Sequence, residues 1–283
     1  MVKVGFYQGC CFQGQDAHMF ETMKETFKRL DVELELLEET TCCGGNTIDE
    51  ENRKLSYAIN ARNIALAEAK GLDLLVSCNT CYMVIAKAKR AMDTNKKLRE
   101  EINALLKEEG LEYRGTARVY HLLDFFRDVV GYDRIRKAVK RPLKGWKVAA
   151  YYGCHVLYPK DIAVDNSDNP SSLQEILKAL GAEVIDDYEH RDACCGYHSF
   201  FTDKSMTLKK LNRILGSVKK TGADVVATPC PLCFKSFDIY QLNMEKPPMV
   251  PSSFLPELMA YAFGIDKEES GLAHHLVKVD KAK

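Results

Sequence analysis

Apolar positions along the chain form short runs that alternate with longer stretches of helical periodicity. Residues 3–8 form an apolar run that stops at Gly9-Cys10. Over 20–30, Phe20, Met23, Phe27 and Leu30 recur at helical spacing. Residues 32–37 alternate apolar and acidic side chains, as a half-buried strand does. Stretch 49–70 reads as one long amphipathic helix, with Asp49 as its N-cap and Gly71 just past its end. The buried-type strand 72–77 runs into Cys78-Asn79-Thr80-Cys81, and a helix over 81–92 takes over. A charged helix at 95–109, most simply a solvated face, a strand at 117–120 and a helix at 121–130 follow. The order then repeats: strand 146–152, polar loop 160–170, helix 172–180 stopped by Gly181, strand 182–185, helix 204–220, strand 223–228 and a last helix at 254–263. Residues 134–145 are basic, carry Pro142 and read as a linker, and the polar stretch from Gly264 reads as a loosely held tail.

Strands alternating with helices predict α/β architecture, with parallel sheets covered on both faces. At 283 residues the chain has room for two domains, expected at 1–141 and 146–283. Forty basic and forty acidic side chains cancel, so no nucleic-acid partner is expected. The apolar runs at 72–76 and 148–152 are too short to span a bilayer, and no extended apolar signal segment opens the sequence. Eleven cysteines without such a segment point to a reducing compartment, the cytoplasm.

Ten of those cysteines form a pattern that occurs twice. The first copy is Cys10, Cys42, Cys43, Cys78 and Cys81; the second is Cys154, Cys194, Cys195, Cys230 and Cys233. Each reads Gly-Cys, then Cys-Cys-Gly, then Cys-x-x-Cys, and the last four cysteines of the copies are offset by the same 152 residues. Every group follows an expected strand. Open α/β sheets bind ligands beyond the carboxyl ends of their strands, so groups distant in sequence can meet there. Buried packing cysteines would not repeat a spacing, and disulfides suit a reducing compartment poorly. Structural zinc takes four ligands, which leaves one cysteine over in each copy. Soft thiolates also select iron–sulfur clusters; five per copy suit a cluster that is not a regular cube. Gly44 and Gly196 are expected to remove bulk beside the crowded cysteine pairs. There is no ferredoxin-type cysteine run, no Gly-x-Gly-x-x-Gly after a strand and no P-loop, so electrons for a redox reaction would come from a partner chain.

These residues resemble the CCG domain found in the B subunit of heterodisulfide reductase. In the second copy the likeness is carried by Tyr152-Gly153-Cys154-His155-Val156-Leu157-Tyr158-Pro159, Asn169-Pro170, Leu180-Gly181-Ala182-Glu183 and Cys194-Cys195-Gly196. In the first it is carried by Ala61-Arg62-Asn63-Ile64, Ala67-Glu68 and Ser77-Cys78-Asn79-Thr80-Cys81-Tyr82, and overall it covers residues 1–264. The resemblance implies two tandem Rossmann-like CCG domains related by pseudo-twofold symmetry. It also implies one non-cubane 4Fe-4S cluster per domain, held by the five cysteines of each copy. The implied reaction is reduction of the coenzyme M–coenzyme B disulfide. Electrons would arrive through a ferredoxin-like C subunit from a flavin-bearing A subunit. Relatives widen the range to sulfur-oxidation complexes, to membrane-binding subunits of succinate dehydrogenases or thiol:fumarate reductases, to lactate or glycolate oxidation and to pure electron transfer.

His155, beside Cys154, is the candidate proton donor to a leaving thiolate, or else a hydrogen-bonded loop histidine; His198 has the same two readings. Cys11 is a redox thiol, an alternative ligand or a packed free thiol, and Cys10 is taken as the ligand because Cys154 also follows Gly. Asn79 and Thr80 are placed to hydrogen-bond cluster sulfurs, and Pro231 to stiffen its turn. An anionic substrate would need a cation nearby; Lys160, Arg191 and Lys235 are close to the cysteines in sequence.

Overall fold

A computed structural model describes residues 1–13 and 17–282. It contains two four-stranded parallel sheets. The first is built from β1 (Val2–Tyr7), β2 (Val32–Leu36), β3 (Leu74–Val76) and β4 (Val119–His121), in the order β2-β1-β3-β4. The second uses β5 (Lys147–Ala150), β6 (Glu183–Ile185), β7 (Val225–Thr228) and β8 (Ser252–Phe254), in the order β6-β5-β7-β8. Each strand of the first sheet thus has a counterpart in the second.

Helices cover both faces, which is why β3 and β7 are buried at every residue and read as unbroken runs. β2 lies at an edge; Glu33 and Glu35 face outward and pair with Lys3, and Glu35 also with Lys70. The first half carries α1 (Ala17–Lys28), α2 (Gly45–Glu51), α3 (Arg53–Ala69), α4 (Asn79–Thr94), α5 (Lys96–Leu106), α6 (Leu122–Phe125) and α7 (Tyr132–Ala138). The second carries α8 (Ser172–Ala179), α9 (Lys204–Lys220), α10 (Pro231–Asp238) and α11 (Leu255–Ala262).

Four details differ from expectation. The long helix at 49–70 is split, because the Asn52 side chain caps a new helix by accepting from Leu55 N at 3.0 Å. The stretch read as a linker contains α7, and its later part is tied down: Lys140 N and Arg141 N donate to Ala262 O, and Leu143 N to Leu180 O. β8 and α10 lie outside the expected elements. The tail beyond Gly264 is packed, not loose. Leu272, His275, Val277 and Val279 are buried, and Asp238 accepts from the amides of Leu276 and Val277 at 2.9 Å.

The halves grip each other reciprocally. α1 packs on α11, with Thr26 Oγ1 donating to Pro256 O at 3.2 Å, and α8 packs on α6. α1 and α8 each follow the central strand of their own sheet, and α6 and α11 each follow its last strand. The pairing therefore has the form of a twofold exchange. Tyr82 OH donates to Ile162 O, Arg127 to Val164 O and Asn79 Nδ2 to Tyr152 O, so loop carbonyls of the second half are read by side chains of the first.

Candidate metal centre

All ten patterned cysteines lie beyond the carboxyl ends of strands. Cys10 follows β1 and Cys154 follows β5; Cys42-Cys43 follow β2 and Cys194-Cys195 follow β6. Cys78 and Cys230 are the N-cap residues of α4 and α10, with Cys81 and Cys233 in the first turns of those helices. Each cap sulfur interacts with the second cysteine of its own Cys-x-x-Cys, and the Cys81 amide helps to favour the Cys78 thiolate, whereas burial pushes the Cys230 thiol well up. Cys43, Cys78, Cys81, Cys195, Cys230 and Cys233 are buried, Cys154 is half-buried, and Cys10, Cys42 and Cys194 are exposed.

In the first half the sulfurs form a closed circuit that includes Cys11. Cys43 Sγ and Cys81 Sγ are 3.3 Å apart. Electrostatic interactions link the series onward from Cys81 to Cys78, Cys11, Cys10, Cys42 and back to Cys43, so these thiols influence one another's protonation. Hydrogen bonds from Cys11, Cys230 and Cys81 hold the Cys78 thiol well below its ordinary value. Those from Cys10 and Cys43 do the same for Cys42. The second half is more open. Cys154 pairs with Cys194, and Cys195, Cys233 and Cys230 form a separate chain. The hydrogen bond from Cys154 brings Cys194 down to about 5 against the cost of burial, helped by Gly196 N–H and the charges of Lys210 and His198. Across the halves, the thiols of Cys78 and Cys230 influence each other's protonation.

Tyr7 and Tyr151, each three residues before the first cysteine of its copy, brace these loops. Tyr7 OH donates to Thr41 O at 2.8 Å, and Tyr151 OH donates to Ala193 O. Those carbonyls immediately precede the two Cys-Cys pairs. Asn63 bonds both the amide and the carbonyl of Thr41, and Asn60 and Ser236 donate to Cys43 O and Cys195 O. The repeated Tyr-x-Gly-Cys was readable in the sequence, but its purpose was not.

The glycines divide their work differently from the expectation. A Cβ on Gly44 would meet Ile48 at 2.8 Å and one on Gly196 would meet Thr207 at 2.9 Å, so these residues allow tight left-handed turns under the next helix. It is Gly153 whose Cβ would intrude on a sulfur, 3.1 Å from Cys233 Sγ.

A cavity of about 240 Å³ opens on the second cysteine set, lined among others by Thr80, Cys154, His155, Cys194, His198 and Lys210. Thr80 Oγ1 lies 3.0 Å from His155 Nδ1 and 3.2 Å from His198 Nε2, which makes a polar trio across the two halves. Burial holds His155 below its usual range and so favours the neutral ring. A larger cavity, about 910 Å³ beside α5, has no cysteine in its wall. Of the expected cations, none lines the cavity: Lys160 pairs with Asp168 at 2.7 Å, Arg191 donates to Asp186 O, and Lys235 lies elsewhere on α10. Lys210 takes the place they were expected to fill. Sequence distance hid it, because α9 lies between the Cys-Cys pair and the Cys-x-x-Cys.

The donors fit an iron–sulfur group. They are soft thiolates, and Cys42, Cys43 and Cys194 accept from the amides of Gly44, Gly45 and Gly196 at 3.4–3.5 Å, the kind of bond that tunes a cluster. Among the described residues no three Cys, His, Asp or Glu side chains surround a single ion position. A four-iron cluster distributes its thiolates over several metal atoms and does not require one.

The CCG cysteine-rich domain model matches the chain twice, at residues 4–86 and 148–238. The chain is 34% identical to the 8-methylmenaquinol:fumarate reductase membrane anchor subunit of Wolinella succinogenes, over 99% of this chain and 98% of that one. It is 30% identical to a protein of Archaeoglobus profundus described as like the B subunit of heterodisulfide reductase, over 95% and 93% of the two chains. It is 28% identical to the B subunit of the ferredoxin/F(420)H(2)-dependent CoB-CoM heterodisulfide reductase of Methanosarcina acetivorans, over 98% and 95%. A crystal structure of a hypothetical protein from Helicobacter pylori has the same fold, with a TM-score of 0.80 at 17% identity over 98% of this chain; the chain spans 52% of that protein. The chain belongs to the CCG family of cysteine-rich proteins, carries the domain twice, and has the B subunit of heterodisulfide reductase among its relatives.

Proposed function

We propose that the chain is the disulfide-reducing subunit of a multi-subunit cytoplasmic oxidoreductase, with a non-cubane 4Fe-4S cluster in each half. Cys10, Cys42, Cys43, Cys78 and Cys81 would hold the first cluster, and Cys154, Cys194, Cys195, Cys230 and Cys233 the second. When bound, such clusters take up and release single electrons. Two electrons and two protons convert one disulfide into two thiols. In this reading the substrate is the coenzyme M–coenzyme B disulfide, as in the names of the Methanosarcina relatives. Electrons come from a ferredoxin-like C subunit and a flavin-bearing A subunit.

The chain's own residues bury six of the ten sulfurs and narrow the cavity. His155 is the proposed proton donor: neutral at rest because it is buried, it takes up a proton before passing it to a leaving thiolate, and Thr80 and His198 orient it. One observation carries the reading. Two five-cysteine sets, the last four members of each offset by 152 residues, lie beyond the strand ends next to a cavity whose wall includes Thr80, His155 and His198.

A second reading, as one component of a fumarate reductase, is favoured by the 34% identity to the Wolinella protein. Among the described residues no helix is long and apolar enough to cross a membrane, so this reading makes the chain an electron relay next to a catalytic partner.

The complex, isolated without oxygen and supplied with a reduced viologen dye, separates the two. Dye oxidation driven by the disulfide, and abolished by Cys195→Ser, is the expected result. Oxidation driven by fumarate alone would move the chain to the second reading.

A further inference from the structure

We infer that Lys210 and Arg213 of α9 form a subsite beside Cys194 for the anionic group, a carboxylate, sulfonate or phosphate, of the sulfur compound reduced at the second cysteine set. This rests on the disulfide-reducing reading of the site.

Three observations support it. First, the cavity of about 240 Å³ and a second of about 270 Å³ share Cys194 and Lys210 in their walls, and Arg213 and His190 line the second. A ligand spanning them has a cation at one end and the Cys194 sulfur at the other. Second, the helix face is fixed. Thr207 packs on Gly196, with its hydroxyl 3.4 Å from Gly196 O, and Lys210 lies three residues further along the same face. Among the described residues neither Lys210 nor Arg213 forms a salt bridge with a carboxylate. Third, α9 carries Lys204, Lys209, Lys210, Arg213, Lys219 and Lys220 and no acidic residue. Its counterpart in the first half, the equally long α3, mixes Arg53, Lys54 and Arg62 with Glu68, and the short α2 ahead of it carries Asp49, Glu50 and Glu51. The surroundings of the second cysteine pair are therefore more uniformly positive than those of the first, which favours an anion there. Arg213 offers a planar fork and Lys210 a compact charge, a combination suited to an oxyanion.

The probes are 3,3′-dithiodipropionate, a dicarboxylate disulfide, and its neutral diamide. Equilibrium binding to the anaerobically purified complex is measured first, and viologen-linked reduction second. The wild type should bind the dicarboxylate roughly 10- to 100-fold more tightly than the diamide. Lys210→Met/Arg213→Met should bring that ratio close to one with iron content and cluster spectra unchanged. Lys209→Met, on the outer side of α9, should leave it intact. Equal binding of the two probes by the wild type, or an unchanged ratio in the double variant, overturns the subsite. So does a shifted cluster potential with the ratio intact, which would mean that Lys210 only balances cluster charge. If neither probe is reduced but the ratio collapses in the double variant, the subsite stands and the disulfide-reducing reading falls. If both are reduced equally well, that reading stands and the subsite falls.

Discussion

The two halves share a strand order, a cysteine spacing and a tyrosine brace, yet they end in different surroundings. In the first half Cys11 interacts with Cys10 and Cys78, and the short acidic α2 stands between the cysteine pair and α3, the counterpart of α9. In the second half His155 stands where Cys11 would, the thiols split into two groups, a cavity opens and a basic helix follows the pair. The same division recurs at buried acids. Asp124 and Glu257 occupy the third position of equivalent helices, α6 and α11. Glu257 meets His275 of the packed tail at 3.0 Å, whereas burial, against a backbone hydrogen bond from His121, pushes Asp124 up to about 7. A repeated scaffold thus carries different side chains around its two sets of sulfurs.

The largest expected effect tests whether the halves load independently. Cys43→Ser and Cys195→Ser should each remove about half of the iron, that of their own half. Loss of nearly all iron from either one would show that the interaction between Cys78 and Cys230 makes a single unit.

Next come the buried acids. Glu257→Ala leaves His275 buried without its partner and should cost about 3–5 kcal/mol in chemical denaturation. Burial works against the charged His275, but Glu257 overcomes it and raises the His275 pKa above its ordinary 6.5. The pair's contribution is therefore complete below that value and is lost as pH rises through the folded pKa. A melting temperature that rose across that interval because of this pair would contradict the assignment.

In the first half the folded pKa of Asp124 also lies above its ordinary 3.8, at about 7. The folded protein holds this proton after the unfolded chain has released it, so stability falls as pH climbs through that window. Asp124→Asn should gain on the wild type as pH rises from about 4 to about 7, and parallel melting curves would count against a buried acid there. The smallest effect is expected at Cys11. Cys11→Ala should leave both iron complements in place and cost about 1 kcal/mol of packing. Loss of first-half iron would make Cys11 a ligand.

Much of this was legible in the sequence. Seven of the eight strands announce themselves, β2 by alternating apolar and acidic residues and the others by apolar runs, and the spacing of Cys42, Cys43, Cys78 and Cys81 against their counterparts reveals the repeat. β8 escaped because Ser252 and Ser253 are polar yet wholly buried. α10 escaped because it is only eight residues long and begins in a Cys-Pro-Leu-Cys that reads as a turn. The tail looked polar because its few anchors, Leu272, Val277 and Val279, are scattered. Contacts between the halves leave no periodic trace, so the meeting of Thr80 with His155, and the approach of Lys210 to Cys194, needed three dimensions.

Iron, zinc and acid-labile sulfide counted on the same anaerobically purified chain decide most directly whether the paired thiol sets hold inorganic clusters. Two clusters require about eight irons and about eight sulfides per chain. About two zincs with no sulfide, or metal-free folded protein, would contradict the account.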